Sequence, residues 1–106
     1  MGTRHTEQFS TELNTTADLF KALGHPARLA IVRAIAEEQA CVCGEFVRVT
    51  GLSQATVSQH LKELKSAGLI QGQIEGPKTC YCLAPEALAA LQTAVRGLQT
   101  PPLPCC

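Results

Sequence analysis

The chain has no charge excess. Nine Lys and Arg are matched by nine Asp and Glu in 106 residues. A large basic excess would argue directly for a nucleic-acid partner. Its absence removes that argument without excluding the partner, because charge can be segregated by face. No apolar run approaches the roughly 20 residues that a membrane span needs. The opening segment Met1–Ser10 is polar, carries Arg4, His5 and Glu7, and has no apolar core of the signal-peptide kind. A cytoplasmic location with no membrane partner is therefore expected. Cys-x-x-Cys does not occur, and no His–carboxylate partner for a nucleophilic cysteine is evident. A thiol oxidoreductase or reductase is thereby disfavoured, and neither an enzyme nor a small organic substrate is expected. No internal repeat is present.

What is there describes one folded domain. Hydrophobic residues make up 45% and charged residues 17% of the chain, which excludes a disordered chain. Six cysteines are present. In a secreted domain they would read as a disulfide framework. In a reducing compartment they read as ligands or redox-active thiols.

Met1–Asn14 reads as a mobile polar arm. Thr15–Leu23 is expected to be a first helix, capped by Thr15 or Thr16 and apolar at Leu19, Phe20 and Leu23, with Gly24 ending it. Pro26 suits the first position of a second helix reaching Glu38, with Leu29, Val32 and Ala36 on one stripe and Ile31 and Ile35 beside it. Ala40–Cys43 reads as a brief strand. Glu45–Thr50 reads as a short helix with Phe46 and Val47 inward, broken by Gly51. Ser53 is a good N-cap for the next helix, and Leu52 and Val57 stand at staple positions. Val57, Leu61 and Leu64 form its inner stripe, Gly68 ends it, and its other positions are almost all polar. Leu69–Glu75 and Lys78–Leu83 read as a hairpin around Gly76-Pro77, without the Asn-Gly signal. Pro85–Leu98 is a last helix with Leu88, Leu91, Val95 and Leu98 on one stripe. A Pro- and Cys-containing tail, 99–106, follows the domain at 15–98.

A short helix, a glycine turn and a second helix with a polar outer face form a helix-turn-helix pattern. An isolated helix of this kind would read as an ordinary amphipathic surface helix. The short helix before it and the hairpin after it reverse that judgement. Local charge adds little, since 53–78 has three Lys against two Glu. Here a family resemblance becomes plain. Leu23-Gly24-His25-Pro26-Ala27-Arg28-Leu29-Ala30-Ile31 resembles the opening helix pair of the arsenic-repressor (ArsR/SmtB) family. The run from Leu52 to Lys62 resembles its recognition helix. Ala67-Gly68-Leu69-Ile70, Glu75-Gly76 and Tyr81-Cys82-Leu83 resemble its wing. The match spans about 15–98. It implies a mainly α winged helix-turn-helix of about five helices with a small β-hairpin wing. It also implies a homodimer through the first and last helices that represses transcription and leaves operator DNA on binding a ligand. Gln54, Thr56, Ser58 and Gln59 would read bases, while Ser53, His60, Lys62 and Lys78 would mainly position the duplex.

Cys41-Val42-Cys43 is similar to the Cys-x-Cys of the arsenite-binding branch, where a third cysteine follows near the next helix. Here that position is Phe46. Further thiolates must come from Cys80 and Cys82, from the tail pair Cys105 and Cys106, or from neither if two suffice. Cys80 and Cys82 share one face of a strand while Tyr81 and Leu83 face the core. In winged helices like this family, the short strand before the helix-turn-helix pairs with that wing strand. Cys41 and Cys43 are then expected opposite Cys80 and Cys82, with Cβ atoms roughly 4.5–5.5 Å apart. Soft ions select thiolates, so trivalent arsenic or antimony, or an organoarsenical, is the expected inducer. Zinc is a competitor, as an inducer or as a four-thiolate structural ion in an adaptor. A thiol-based persulfide or oxidant sensor is the alternative repressor. The acidic/His zinc pattern that some relatives carry on the last helix is absent. His25 reads as a cap and His5 as solvated.

Overall fold

The computed structural model describes residues 6–44, 46–75 and 78–100. Its first helix, α1 (Thr11–Leu23), begins four residues before the position its threonines suggest, after a single 3-10 turn at Thr6–Gln8. The cap is Ser10, whose hydroxyl accepts from the Leu13 N–H at 3.1 Å. Periodicity could not mark this turn, because Leu13 is exposed and no apolar stripe reaches it. The second helix, α2 (Pro26–Glu38), starts at a proline whose missing N–H would have been unsatisfied there in any case. His25 is its cap, as expected: Nδ1 accepts from the Ala27 N–H at 3.0 Å. Gln39 ends α2 in the left-handed region, φ 54°.

Then come α3 (Phe46–Thr50), α4 (Gln54–Ala67), the strands β1 (Ile70–Glu75) and β2 (Lys78–Leu83), and α5 (Pro85–Arg96). Among the described residues this makes five α-helices and one antiparallel hairpin, the architecture expected from the sequence. Ser53 caps α4 through Thr56 N–H, and Gly68 ends it at φ +88°, a conformation glycine adopts without steric cost. The hairpin register runs from Ile70↔Leu83 to Glu75↔Lys78.

Ile31 and Ile35 of α2, Val57 and Leu64 of α4, and Leu69 and Ile70 entering β1 are the most deeply buried large side chains. Leu19 of α1, Phe46 of α3 and Leu91 of α5 close around them. Several apolar assignments shift. Leu29 is 46% exposed and Ala36 is exposed too, so the buried line of α2 is Ile31, Val32 and Ile35, and Phe20 of α1 and Val95 of α5 also lie outside the core. Val47 is 39% exposed, because a five-residue helix has room for one inward anchor, and Phe46 takes it. The last helix ends at Arg96, two residues early, leaving Leu98 outside it. Cys105 and Cys106, Gly76-Pro77 and Glu45 lie outside the described residues, as does the side chain of Lys78.

Candidate functional site

The helix-turn-helix is held by local polar bonds. Thr50 Oγ1 donates to the Phe46 carbonyl at 2.8 Å and accepts from the Leu52 N–H at 3.2 Å, fastening α3 to the turn. Gly51 makes that turn at φ +73°. Leu52 is half-buried and Val57 buried, which fixes how the chain enters α4.

On α4 the inner stripe Val57, Leu61 and Leu64 is buried, and Gln54, Thr56, Ser58, Gln59 and Lys62 are exposed together. Gln54 Nε2 donates to Ser58 Oγ at 3.2 Å, and Gln59 Nε2 donates to a Glu63 carboxylate oxygen at 3.3 Å. Ser53 Oγ donates to Thr56 Oγ1 at 3.0 Å. Exposed bonds of this kind contribute little net stability, so these groups exchange partners cheaply.

His60 does not belong with them. Only 9% of its surface is exposed. Its ring stands 4.5 Å from that of His25, and its Nδ1 accepts from Arg28 Nε at 3.2 Å. A position three residues after Val57 turns the side chain toward α2, away from the polar face. Burial, with the nearby His25 and Arg28 charges, pushes its pKa below the ordinary histidine value, and Glu63 opposes this. Arg28 also donates to the Ala22 carbonyl at 3.2 Å. This Arg28–His60 joint was not legible in the sequence, since nothing local marks a contact across 32 positions.

The cysteines converge. Val42 and Tyr81 exchange both backbone hydrogen bonds, at 2.9 and 2.8 Å, so β2 lies between β1 and the 41–43 segment. The flanking positions are then non-hydrogen-bonded pairs, where opposed side chains come closest. Cys41 stands opposite Cys82 and Cys43 opposite Cys80, with Cα–Cα separations of 4.2 and 4.1 Å. In each pair the sulfurs are joined as a disulfide. The strand pairing anticipated from the resemblance is therefore present. Tyr81, on the other face, meets Phe46 edge-on at 6.1 Å between centroids. The residue that replaces the third cysteine is thus the anchor beneath the thiol sheet.

The two sides of each pair differ. Cys41 and Cys43 are exposed, Cys82 is half-buried, and Cys80 retains 2% of its surface. Cys41 Sγ lies 3.9 Å from Gln73 Oε1 on β1, a neighbour 32 positions away that no local pattern marks. A groove of about 310 Å³ between the end of α2 and β2 reaches Cys41 and Cys82. With the sulfurs paired, no group of three or more His, Cys, Asp or Glu among the described residues is arranged to hold a metal ion. In the reduced form the same place offers four thiols, a donor set that fits a soft, thiophilic ion.

A capped outward helix after a short helix and tight turn, followed by a hairpin, defines a winged helix-turn-helix DNA-binding protein. The family described as a helix-turn-helix domain matches residues 23–73. The HTH-type transcriptional regulator YgaV of Escherichia coli K12 is 32% identical over 94 residues, 89% of this chain and 95% of that protein. The HTH-type transcriptional repressor SmtB of Mycobacterium tuberculosis is 43% identical over 77 residues, 73% of this chain and 56% of that protein. A solution structure of a homodimeric winged helix-turn-helix domain from Mycobacterium bovis, described as a possible ArsR-family transcriptional regulator, superposes with TM-score 0.67. Identity there is 29%, over 92% of this chain and 90% of that one. The chain belongs to the ArsR/SmtB family of transcriptional repressors, which are DNA-binding regulators and not enzymes. No helix among the described residues is long and apolar enough to cross a membrane.

Proposed function

We propose that this repressor binds operator DNA as a homodimer and is released when trivalent arsenic or antimony is held by the thiolates of Cys41, Cys43, Cys80 and Cys82. The observation that carries the reading is the facing of two Cys-x-Cys segments at adjacent positions of one ladder. The exposed face of α4 supports the DNA half. Gln54, Thr56, Ser58 and Gln59 would reach base edges, and Ser53, Lys62 and Lys78 would hold phosphates. His60 drops out of that set because it is turned inward.

Dimerisation through α1 and α5 is supported by their uncovered apolar surface. Phe20 and Val95 are exposed, and with Leu23 and Leu91 they line a groove of about 440 Å³. The thiol sheet joins the segment leading into α3 to the wing strand that follows α4. An ion there would act on both ends of the reading unit. Ligand and DNA then oppose each other by one coupling free energy, the same in both directions. The tail pair Cys105 and Cys106 remains a candidate source of further thiolate.

The test is fluorescence anisotropy of the reduced protein on an operator duplex selected from a random pool, titrated with arsenite. Cys41→Ser, Cys80→Ser and Cys105→Ser run in parallel. Release that is lost in the first two and kept in the third supports the reading. Release kept in Cys80→Ser and lost in Cys105→Ser moves the remaining thiolate to the tail. Release by zinc or persulfide and not by arsenite discards the metalloid.

A further inference from the structure

We propose that the same four cysteines are an oxidation site, and that oxidation keeps the repressor on DNA while making it deaf to its thiol-binding inducer. The second clause rests on the function proposed above; the first does not.

The geometry favours two defined disulfides and no others. The Val42–Tyr81 backbone bridge sets the register independently of the sulfurs and places Cys41 opposite Cys82 and Cys43 opposite Cys80, with Cα–Cα separations of 4.2 and 4.1 Å in the joined pairs. The competing bonds, Cys41–Cys43 and Cys80–Cys82, would join residues two apart on extended chain. Those stand roughly 6.6 Å apart, near the far end of disulfide reach, with the bonding direction along the strand. Oxidation therefore pairs the 41–43 segment with β2 and nothing else within the site.

Both disulfides are present together with the described parts of the reading unit. With the sulfurs joined, α4 has its Ser53 cap, α3 has its Thr50 ties, and the hairpin pairs in register from Ile70↔Leu83 to Glu75↔Lys78. The cross-links span 41 and 37 positions and enclose α3, α4 and β1. They fasten the DNA-reading unit in the form already described. They also consume all four thiols, so no thiolate of this site is left for a soft ion. Oxidation and inducer thus compete for the same atoms with opposite effects on DNA.

The unequal burial assigns a role within each pair. Cys41 and Cys43 are the more exposed member of each pair and meet the oxidant; half-buried Cys82 and buried Cys80 resolve. With a hydroperoxide as oxidant, the exposed thiolate attacks one peroxide oxygen and breaks the O–O bond. This gives a sulfenic acid and, after protonation, water or an alcohol. The opposed thiol then displaces the sulfenic oxygen as a second water and forms the S–S bond. Per pair, two thiols lose two electrons and two protons, and one peroxide bond gains them.

The experiment uses the full chain and a Cys105→Ser/Cys106→Ser variant, which silences the tail thiols. Each is bound to the selected operator duplex, treated with hydrogen peroxide, freed of peroxide, and divided. One portion is digested without reduction for mass-spectrometric disulfide mapping. The other is titrated for DNA affinity and then with arsenite, before and after reduction by dithiothreitol and desalting. The expected result is Cys41–Cys82 and Cys43–Cys80 bonds, DNA affinity within about threefold of the reduced protein, and no arsenite release until reduction. Other pairings, a loss of DNA affinity of about tenfold or more on oxidation, or arsenite release from fully cross-linked protein would each overturn the proposal. If the reduced protein also ignores arsenite, the metalloid reading fails by itself. The mapping, the DNA affinity and a maleimide count of free thiols then decide the oxidation site on their own.

Discussion

Arg28 donates from Nε to Nδ1 of His60 across 3.2 Å and, from its other arm, to the carbonyl of Ala22. One guanidinium thus ties the end of α1 to the middle of α4. His60 must be neutral at Nδ1 to accept that bond. Its depressed pKa means that the unfolded chain binds the proton more readily. Stability is therefore whole above the ordinary histidine pKa and is lost as pH falls through it toward the lowered folded value. The titratable and charged groups acting on it are His25, Arg28 and Glu63. Urea denaturation at about pH 7.5 and 5.5 should show a drop for the wild type. His60→Gln keeps an acceptor for Arg28 and does not titrate, so its drop should be smaller. Equal drops would remove His60 from the account.

Arg28→Ala leaves the His60 nitrogen and the Ala22 carbonyl without this donor. The expected cost is about 1–3 kcal/mol, read by denaturant melts at neutral pH. Arg28→Lys should recover only part of it, because one ammonium cannot reproduce the two-armed reach.

Ser53→Ala removes the hydroxyl that accepts from Thr56 N–H at the start of α4. About 1 kcal/mol of stability should be lost. Operator affinity should fall as well, because the frayed turn carries Gln54 and Thr56. Ser53→Asp should restore the stability by capping again, and its negative charge should leave the affinity low.

The buried and exposed stripes of α4 should separate cleanly. Leu64→Ala empties a fully buried position and should cost about 2–5 kcal/mol in thermal or urea melts. Gln54→Ala and Gln59→Ala lose only exposed side-chain bonds. They should change stability by about 0.5 kcal/mol or less while weakening operator binding. A Gln59→Ala protein that binds its operator normally would place the reading face elsewhere on the helix.

The oxidised protein should be the more stable form. Closing loops of 41 or 37 positions restricts the unfolded chain, and either bond alone should add about 2–4 kcal/mol. The second adds less, since its loop is nested inside the first. Paired melts of oxidised and reduced protein check this.

Where the controlling interaction is local, the sequence was enough. Ser53 before Val57, Leu61 and Leu64 defines a capped amphipathic helix, because both a cap and a stripe act within one or two turns. The hairpin was readable from two apolar runs around a glycine, and the cap at His25 from the proline after it. All six cysteines stood as candidate thiols, and the shared face of Cys80 and Cys82 was readable because a strand puts alternate residues on one face.

The outcomes that failed or were invisible depend on partners far along the chain. Leu29 and Val47 look like core residues until the packing of neighbouring helices leaves them outside. His60 looks like one more polar residue on the reading face until α2 folds against it and Arg28 claims its nitrogen. For the cysteines, alternation decided which sulfurs share a face. Only the Val42–Tyr81 bridge decided which sulfur meets which, since a strand slipped by one residue would turn every thiol to the other side. Composition and periodicity act over a few residues. Register and burial come from surfaces meeting across tens of residues, and that is where the tertiary structure chose.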